Sequence, residues 1–224
     1  MKRKLPIVAI DGPAGAGKST AARALAQALD FRYVSTGAIY RAVAIAALNA
    51  YTEDQLRDPA IARKFLEIIS IKLEGERVLL DGADVSAQLS APLVSDLASR
   101  LSAIGEVRAK LIELQREAGR HGGVVMEGRD IGTVIFPDAE FKFYLTADAE
   151  VRAARRCVEL QAQGAGVEFG EVLRQVRERD ARDESREAAP LRAAPDAVVI
   201  DSSHLTIDQV VAAMRDRVQH GARG

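Results

Sequence analysis

Residues 9–20 read AIDGPAGAGKST and separate two segments of different character. Residues 5–10 are a short, mostly apolar run, typical of a strand buried on both faces of a parallel sheet. Residues 19–29 are rich in alanine and leucine and contain neither glycine nor proline, which predicts a helix. The glycine-rich stretch is therefore expected to be a loop between a buried strand and a helix.

Residues 12–19 of this loop fit the pattern G-x-x-x-x-G-K-[ST]. Small side chains let successive backbone N–H groups point inward and form a concave anion site, and the positive end of the helix dipole adds to it. Lys18 is expected to reach the β- and γ-phosphates, and the Ser19 hydroxyl to ligate Mg²⁺. The pattern predicts a site for a nucleoside triphosphate such as ATP. Its predicted residues are Gly12, Pro13, Ala14, Gly15, Ala16, Gly17, Lys18, Ser19 and Thr20.

Further apolar segments predict the rest of a parallel sheet, and helical patterns lie between them. The candidate strands are residues 31–34, 122–130 (GGVVMEGRD), 140–148 (EFKFYLTAD) and 196–202 (DAVVIDS). The candidate helices are residues 36–50, 95–118, 149–163 and 169–185. This alternation predicts an α/β fold with an open parallel sheet as the P-loop core, flanked by helices.

The period of the pattern changes between residues 51 and 90. Asp58 and Pro59 predict the start of a helix to Ile68, and apolar residues then alternate with polar ones from Ile69 to Leu73. The turn EGER at 74–77 follows, and a second apolar run returns, which predicts a β-hairpin. We interpret residues 51–90 as a subdomain inserted into a single domain of residues 1–224, a length that suits one core.

Composition argues against several classes of function. Lys plus Arg is 31 and Asp plus Glu is 32, for a net charge of -1, so nothing favours binding to nucleic acid or to a membrane. Cys157 is the only cysteine, which excludes an intramolecular disulfide and a multi-cysteine metal site. No run approaches the roughly 18 apolar residues of a membrane span. We expect a cytoplasmic monomer.

A guanine-nucleotide switch is disfavoured. Such a protein usually carries N-K-x-D for the base and D-x-x-G after the second strand. Here the only asparagine, Asn49, is followed by alanine, and no D-x-x-G occurs. A P-loop is also found in motors, in partitioning ATPases and in kinases of small molecules, and the distribution of arginines favours a kinase.

The segment EVLRQVRERDARDESR at 171–186 places charges on one helix face. Five residues of the segment, separated by four, three, four and three positions, fall on one narrow stripe of a helix, and the first two of them are apolar. They are Val172, Val176, Arg179, Asp183 and Arg186. A solvated ladder of salt bridges is one explanation. Charges that continue an inward-facing stripe instead need partners, and a cleft holding an anionic ligand supplies them.

Two further clusters carry charge. Glu127, Arg129 and Asp130 lie at the carboxyl end of a candidate strand, which is where open α/β sheets bind their ligands. A surface turn is the alternative explanation for these residues. A candidate helix that ends before Gly164 carries three arginines with the spacing i, i+3, i+4. Residues 152–168 either form a lid that closes over the site or present a solvated basic face. The arginines of this lid are Arg152, Arg155 and Arg156.

With these residues in place, the chain resembles the bacterial cytidylate kinases of the nucleoside monophosphate (NMP) kinase family over nearly its full length. The stretches that carry the resemblance are IDGPAGAGKST, STGAIYRAVA, the hairpin insert at 69–82, MEGRDIGTVIFPDA and RERDARDESR. The resemblance implies transfer of the γ-phosphoryl group of ATP to CMP or dCMP, giving CDP or dCDP and ADP, as in pyrimidine metabolism. It also makes residues 51–90 the NMP-binding subdomain.

The resemblance further implies roles for individual residues. The acceptor site would comprise Thr36, Arg41, Ser99, Arg108, Arg129, Asp130, Arg179, Asp183 and Arg186. The catalytic residues would be Lys18, Arg129, Arg152, Arg155 and Arg156. Mg²⁺ would bind Ser19 directly and Glu127 through water, at a position where many relatives carry aspartate.

Base complementarity leads to a hypothesis about specificity. Cytosine offers an exocyclic amine, for which Asp130 is the expected acceptor, while Asp183 is expected nearer the sugar. Uracil presents a carbonyl at the same place, so CMP should be preferred over UMP. The alternatives are a kinase for UMP or AMP and a non-catalytic ATP-dependent switch.

Overall fold

The computed structural model describes residues 3–48, 50–162, 164–186 and 188–221. Residues 1 and 224, the two ends of the predicted domain, lie outside these ranges. Asn49 lies outside them too, as does Gln163, which belongs to the predicted lid. The strands are β1 (Ile7–Asp11), β2 (Arg32–Ser35), β3 (Ile71–Glu74), β4 (Arg77–Leu80), β5 (Ala83–Asp84), β6 (Val124–Glu127), β7 (Phe141–Thr146) and β8 (Val198–Asp201). The helices are α1 (Lys18–Leu29), α2 (Thr36–Leu48), α3 (Glu53–Arg57), α4 (Pro59–Ile68), α5 (Pro92–Leu101), α6 (Gly105–Gly119), α7 (Ala149–Ala162), α8 (Phe169–Ser185) and α9 (Ile207–Gly221).

The central sheet has the strand order β2-β6-β1-β7-β8, and every pairing in it is parallel. All residues of β1 are buried, because apolar clusters cover both faces. Val8 and Ile10 pack on the side of α1 and α9, and Ile7 and Ala9 pack on the opposite side with Met126. The predicted fold class, an open parallel α/β sheet flanked by helices, is confirmed.

The register of the sheet determines where a ligand can bind. Ile10 of β1 pairs with Glu127 of β6, and Asp11 pairs with Tyr144 of β7. The carboxyl ends of these strands therefore lie at one edge, where open α/β sheets bind their ligands. The glycine-rich loop and the turn after Glu127 leave the sheet side by side at this edge.

The predicted hairpin is formed by β3 and β4, with Ile71 opposite Leu80, and β5 extends it. Before it, the side chain of Asp58 caps α4 by accepting hydrogen bonds from the backbone amides of Ala60 and Ile61. Leu80 packs against Ala42 of α2 in a small apolar cluster that is separate from the clusters on the central sheet. This small sheet is thereby attached to the helix that follows β2.

The expectation of continuous helical structure over 95–118 was wrong. The segment contains two helices, α5 and α6, and the chain turns at Ser102 between them. Ile104 is extended there and buries its side chain in the cluster between α2 and α6. No glycine or proline precedes Gly105 to mark the break, so periodicity alone does not reveal it. Tertiary packing of Ile104 decides it.

Among the described residues, no helix is both long and apolar enough to cross a membrane.

Candidate active site

The glycine-rich loop runs from the end of β1 to the first turn of α1. Gly17 is the N-cap of α1, with a φ of 87°, and no side chain in the described part of the chain caps this helix end. First-turn amides of a helix have no partner within the helix, so this end is open to an anionic ligand.

Lys18 is 5% exposed, and its Nζ donates a hydrogen bond to the carbonyl oxygen of Pro13 at 2.7 Å. Within the described ranges no carboxylate lies at salt-bridge distance from it. Burial, and then the nearby charge of Arg129, lower the pKa of Lys18 well below its usual range. A buried ammonium group in this position is stabilised by an added anion.

Gly12 is required by a close approach of two strands. It has a φ of 143°, and a Cβ atom placed on it would lie 1.9 Å from the carbonyl oxygen of Leu145 on β7. We expect Gly12→Ala to lower the free energy of unfolding by at least about 2 kcal/mol and to weaken ATP binding. Urea unfolding and calorimetric titration with ATP measure both effects.

Gly105→Ala is the matched control, since nothing lies within 4 Å of its added Cβ and it belongs neither to the loop nor to the predicted lid. A Gly12→Ala protein as stable as this control would contradict the steric argument.

Glu127 ends β6 and is 4% exposed. Its Oε1 accepts hydrogen bonds from Ser19 Oγ at 3.0 Å and from Ser35 Oγ at 2.5 Å. Burial alone would raise the pKa of Glu127, but the charge of Lys18 and the bond from Ser35 hold it below its usual value. An ionised carboxylate beside hydroxyl groups is the hard-oxygen donor set that suits Mg²⁺.

A cavity of about 1140 Å³ extends from this loop to the charged clusters. Every residue predicted for the acceptor site lines it: Thr36, Arg41, Ser99, Arg108, Arg129, Asp130, Arg179, Asp183 and Arg186. The lid arginines, Ser19, Glu127 and the loop from Ala14 to Thr20 line it too. Gly12 and Pro13 are not among its lining residues, and Gly12 lies against β7 instead. The fold thus brings the three sequence-distant clusters to one place.

Two arginines in this cavity form neither an ion pair nor a hydrogen bond with any residue that the structure describes. They are Arg41 of α2 and Arg179 of α8. Burial lowers the pKa of Arg41, and burial followed by the charge of Arg129 lowers the pKa of Arg179 to about 10. The Nε atom of Arg179 is buried without a hydrogen-bond partner. Desolvated cations that repel one another favour a multiply charged anion.

Arg129 and Arg108, which also line the cavity, are paired with carboxylates. Arg129 Nε donates to Asp183 Oδ2 at 3.0 Å, and this carboxylate outweighs burial and raises the pKa of Arg129. Arg108 forms a buried ion pair with Asp130, whose pKa is nevertheless raised because burial outweighs the guanidinium. Buried Ser99 Oγ and Arg186 Nη2 beside these pairs lack partners among the described residues. This wall offers both donors and acceptors, as recognition of a nucleobase and sugar requires.

The three lid arginines differ in their surroundings. Arg152 is 5% exposed, and its guanidinium pairs with Asp180 of α8 at 2.6 Å and bonds the carbonyl oxygen of Ala14. Arg155 donates to the carbonyl oxygen of Ser202 at 2.7 Å. Arg156 pairs with Glu159 on its own helix at 3.0 Å. Carboxylates therefore balance the charges of Arg152 and Arg156, whereas Arg155 has no carboxylate partner among the described residues.

Two residues that the sequence analysis did not select support the site. Ser102 Oγ accepts from Arg186 Nη1, and its carbonyl oxygen accepts from Arg108 Nη1, each at 3.2 Å. Asp11 is buried at the end of β1 and bonds the turn after Asp130. An acidic residue directly after an apolar run was a signal for Asp11, but Ser102 lies in a helical pattern with nothing to distinguish it.

A buried lysine in a glycine-rich loop after the central strand of a parallel sheet, opposite a cluster of arginines, defines a P-loop phosphotransferase. Comparison with known proteins narrows this class. A model of the cytidylate kinase family matches residues 8–220. The chain belongs to the cytidylate kinase family.

Individual relatives agree with this assignment. The cytidylate kinase of Caldanaerobacter subterraneus subsp. tengcongensis is 46% identical over 219 residues, which cover 97% of this chain and 96% of that protein. That of Carboxydothermus hydrogenoformans is 49% identical over 209 residues, with 92% and 93% covered. A crystal structure of an uncharacterized protein from Eubacterium ventriosum has a TM-score of 0.51 at 13% identity, covers 96% of this chain and 99% of its own, and shows a similar fold.

Proposed function

We propose that the protein transfers the γ-phosphoryl group of ATP to CMP or dCMP and releases ADP with CDP or dCDP. Family membership supports the reaction. The observation that carries the assignment of the site is one cavity lined by the buried ammonium group of Lys18 and by the guanidinium groups of Arg41 and Arg179, which pair with no carboxylate of the described residues. Two polyanions brought end to end would satisfy all three cations.

The chemistry requires positioning and charge neutralisation more than a covalent nucleophile. In the proposal, the loop amides and Lys18 hold the phosphates of ATP. Arg41, Arg129 and Arg179 hold the phosphate of the acceptor, which is already anionic and needs no strong base. Arg155 and Arg156, on the proposed lid at 152–168, neutralise charge near the transferred group.

Arg152 has a supporting role in this proposal. Its bond to the carbonyl oxygen of Ala14 and its pair with Asp180 join the loop to α8. Arg152 therefore fixes the loop against the helix that carries Arg179.

Ser19 and Glu127 are the proposed residues for Mg²⁺. Their oxygens are 3.0 Å apart, and Glu127 is held ionised. One carboxylate with a hydroxyl suits Mg²⁺, since its other ligands are usually water and substrate phosphates. When bound, Mg²⁺ would neutralise phosphate charge and orient the phosphates of ATP. Glutamate in place of aspartate reaches the Ser19 hydroxyl directly.

Recognition of cytosine is proposed for the wall around Asp130. Its carboxylate, held by Arg108, accepts a hydrogen bond from the exocyclic amine. Ser99 Oγ and Arg186 Nη2, which have no partner among the described residues, bond the acceptor atoms of the ring. Asp183 lies nearer the sugar, and residues 51–90 complete the acceptor side as the NMP-binding subdomain. A uracil carbonyl facing a carboxylate would lose about 1–3 kcal/mol.

An acceptor panel with ATP and Mg²⁺ tests the proposal. We expect kcat/KM for CMP and dCMP to exceed that for UMP by about 10- to 200-fold, the range that this loss of binding energy gives, and AMP to react more slowly still. A coupled assay of ADP formation measures each acceptor. Turnover of AMP at least as fast as CMP would overturn the choice of acceptor. Hydrolysis of ATP that no acceptor accelerates would indicate a switch instead.

A further inference from the structure

We propose that Asp11 is a positioning residue that holds the turn bearing Arg129 and Asp130 in a fixed place relative to the phosphate-binding loop. Asp11 is the last residue of β1, and Gly12 of the loop follows it directly. One side chain thereby joins the donor and acceptor halves of the cavity. The inference rests on the proposed function, since it assigns a role within that site.

The contacts of Asp11 are with backbone amides. Oδ1 accepts from the N–H of Ile131 at 2.8 Å, and Oδ2 accepts from the N–H of Gly132 at 2.7 Å. Both amides directly follow Asp130, where the chain enters a single π-helical turn over Ile131–Ile135. Each carboxylate oxygen thus holds one amide, which fixes both the position and the tilt of the turn.

The surroundings leave the turn little room to move on this side. A Cβ atom on Gly132 would lie 3.1 Å from Lys142 Cδ and 3.4 Å from Asp11 Oδ2. The turn is therefore packed between Asp11 and the stem of Lys142, whose ammonium group pairs with Asp196 at 2.8 Å. Small displacements of Asp11 are transmitted to the turn rather than absorbed.

The carboxylate is costly where it lies. Asp11 is 3% exposed, and within the described ranges no cation lies at salt-bridge distance from it. Burial raises its pKa to about 7 in spite of the two amide bonds. An apolar residue would suit the end of a buried strand better, so the two amide contacts are what the carboxylate contributes.

Asp11→Asn tests the inference, because the amide keeps the shape but has one acceptor oxygen, and its NH₂ group faces a backbone N–H. When bound CMP is displaced so that the reacting groups are out of line, the rate falls roughly 10²-fold. We expect a loss of this size in kcat/KM for CMP. The Kd for ATP, measured by calorimetry without CMP, should stay within about threefold, which is under 1 kcal/mol. Asp138→Asn, an exposed carboxylate paired with Arg3, is the matched control and should leave every value unchanged.

A second variant approaches the same contact from the other side. Gly132→Ala would place a Cβ atom in tight contact with Lys142 Cδ, at 3.1 Å, and so shift the turn that Asp11 holds. It should lower kcat/KM for CMP by about tenfold, again with ATP binding retained. The Gly132→Ala variant tests the role of Asp11 if the Asp11→Asn protein does not fold. The inference is overturned if both variants keep normal kcat/KM for CMP, or if they lose ATP binding and thermal stability along with activity. Failure of the proposed function appears separately, as a wild-type protein that does not phosphorylate CMP.

Discussion

The Lys18→Met protein should bind CMP normally but turn it over about 10³-fold more slowly, because one cation at the transferred phosphoryl group is lost. Lys18 Nζ is buried, and its hydrogen-bond partner is the carbonyl oxygen of Pro13. Methionine retains the apolar stem and removes the charge together with the hydrogen bond to Pro13. The kcat from the coupled assay, together with a calorimetric titration of CMP, measures the effect.

The same substitution has a second consequence, of opposite sign, for stability. Burial lowers the pKa of Lys18 well below its usual range, so the charged form is destabilised in the folded protein. Removing it should leave the Tm unchanged or raise it. Lys64→Met, at an exposed position of α4, is the control for both measurements. Loss of activity accompanied by a large fall in Tm would contradict the assignment of Lys18 to phosphate binding.

Arg179→Met should lower kcat/KM for CMP by about 10²- to 10³-fold, while the Kd for ATP changes little. Arg179 belongs to α8, no carboxylate of the described residues pairs with it, and burial with the charge of Arg129 lowers its pKa to about 10. Its positive charge is therefore unbalanced until an anion binds. Steady-state kinetics with CMP varied at saturating ATP gives the value.

Arg174→Met on the same helix is a matched control, because Arg174 is exposed and pairs with Glu171 at 2.7 Å. It should have wild-type kinetics. Arg179→Met should also keep its Tm, whereas Arg129→Met would leave buried Asp183 with only the more distant guanidinium of Arg186, at 4.0 Å, and destabilise the fold. If Arg174→Met and Arg179→Met had the same kinetics, the acceptor phosphate would not bind at Arg179.

Local signals in the sequence were sufficient for the parts of the fold that depend on neighbouring residues. The strand, loop and helix around Gly12 were predicted, as were the hairpin at β3 and β4 and the helix that Asp58 caps. In each case the deciding interactions lie within a few residues along the chain. The break at Ser102 could not be predicted, because it depends on where Ile104 packs between helices that are distant in sequence.

The site shows the same division. Lys18, Arg129 and Arg179 could be selected from motif, spacing and position after a strand. The carboxylate partner of each cation could not be selected in this way, because the ion pairs join segments that are far apart in the sequence. Asp180, which balances Arg152, and Asp11, which holds the turn after Asp130, therefore went unrecognised.

By itself the sequence determined that a glycine-rich loop follows a buried strand, and it predicted that this loop binds phosphate, because such a site is made from consecutive backbone amides. It also determined which residue types were available to face the loop. Only the tertiary structure decided which of them do so, and with what charge: Arg129 pairs with Asp183, Glu127 accepts from Ser19, and Arg179 pairs with no carboxylate of the described residues. The physical reason is that pairing and desolvation depend on distances between strands and helices, which the parallel order of the sheet sets and the linear order of residues does not.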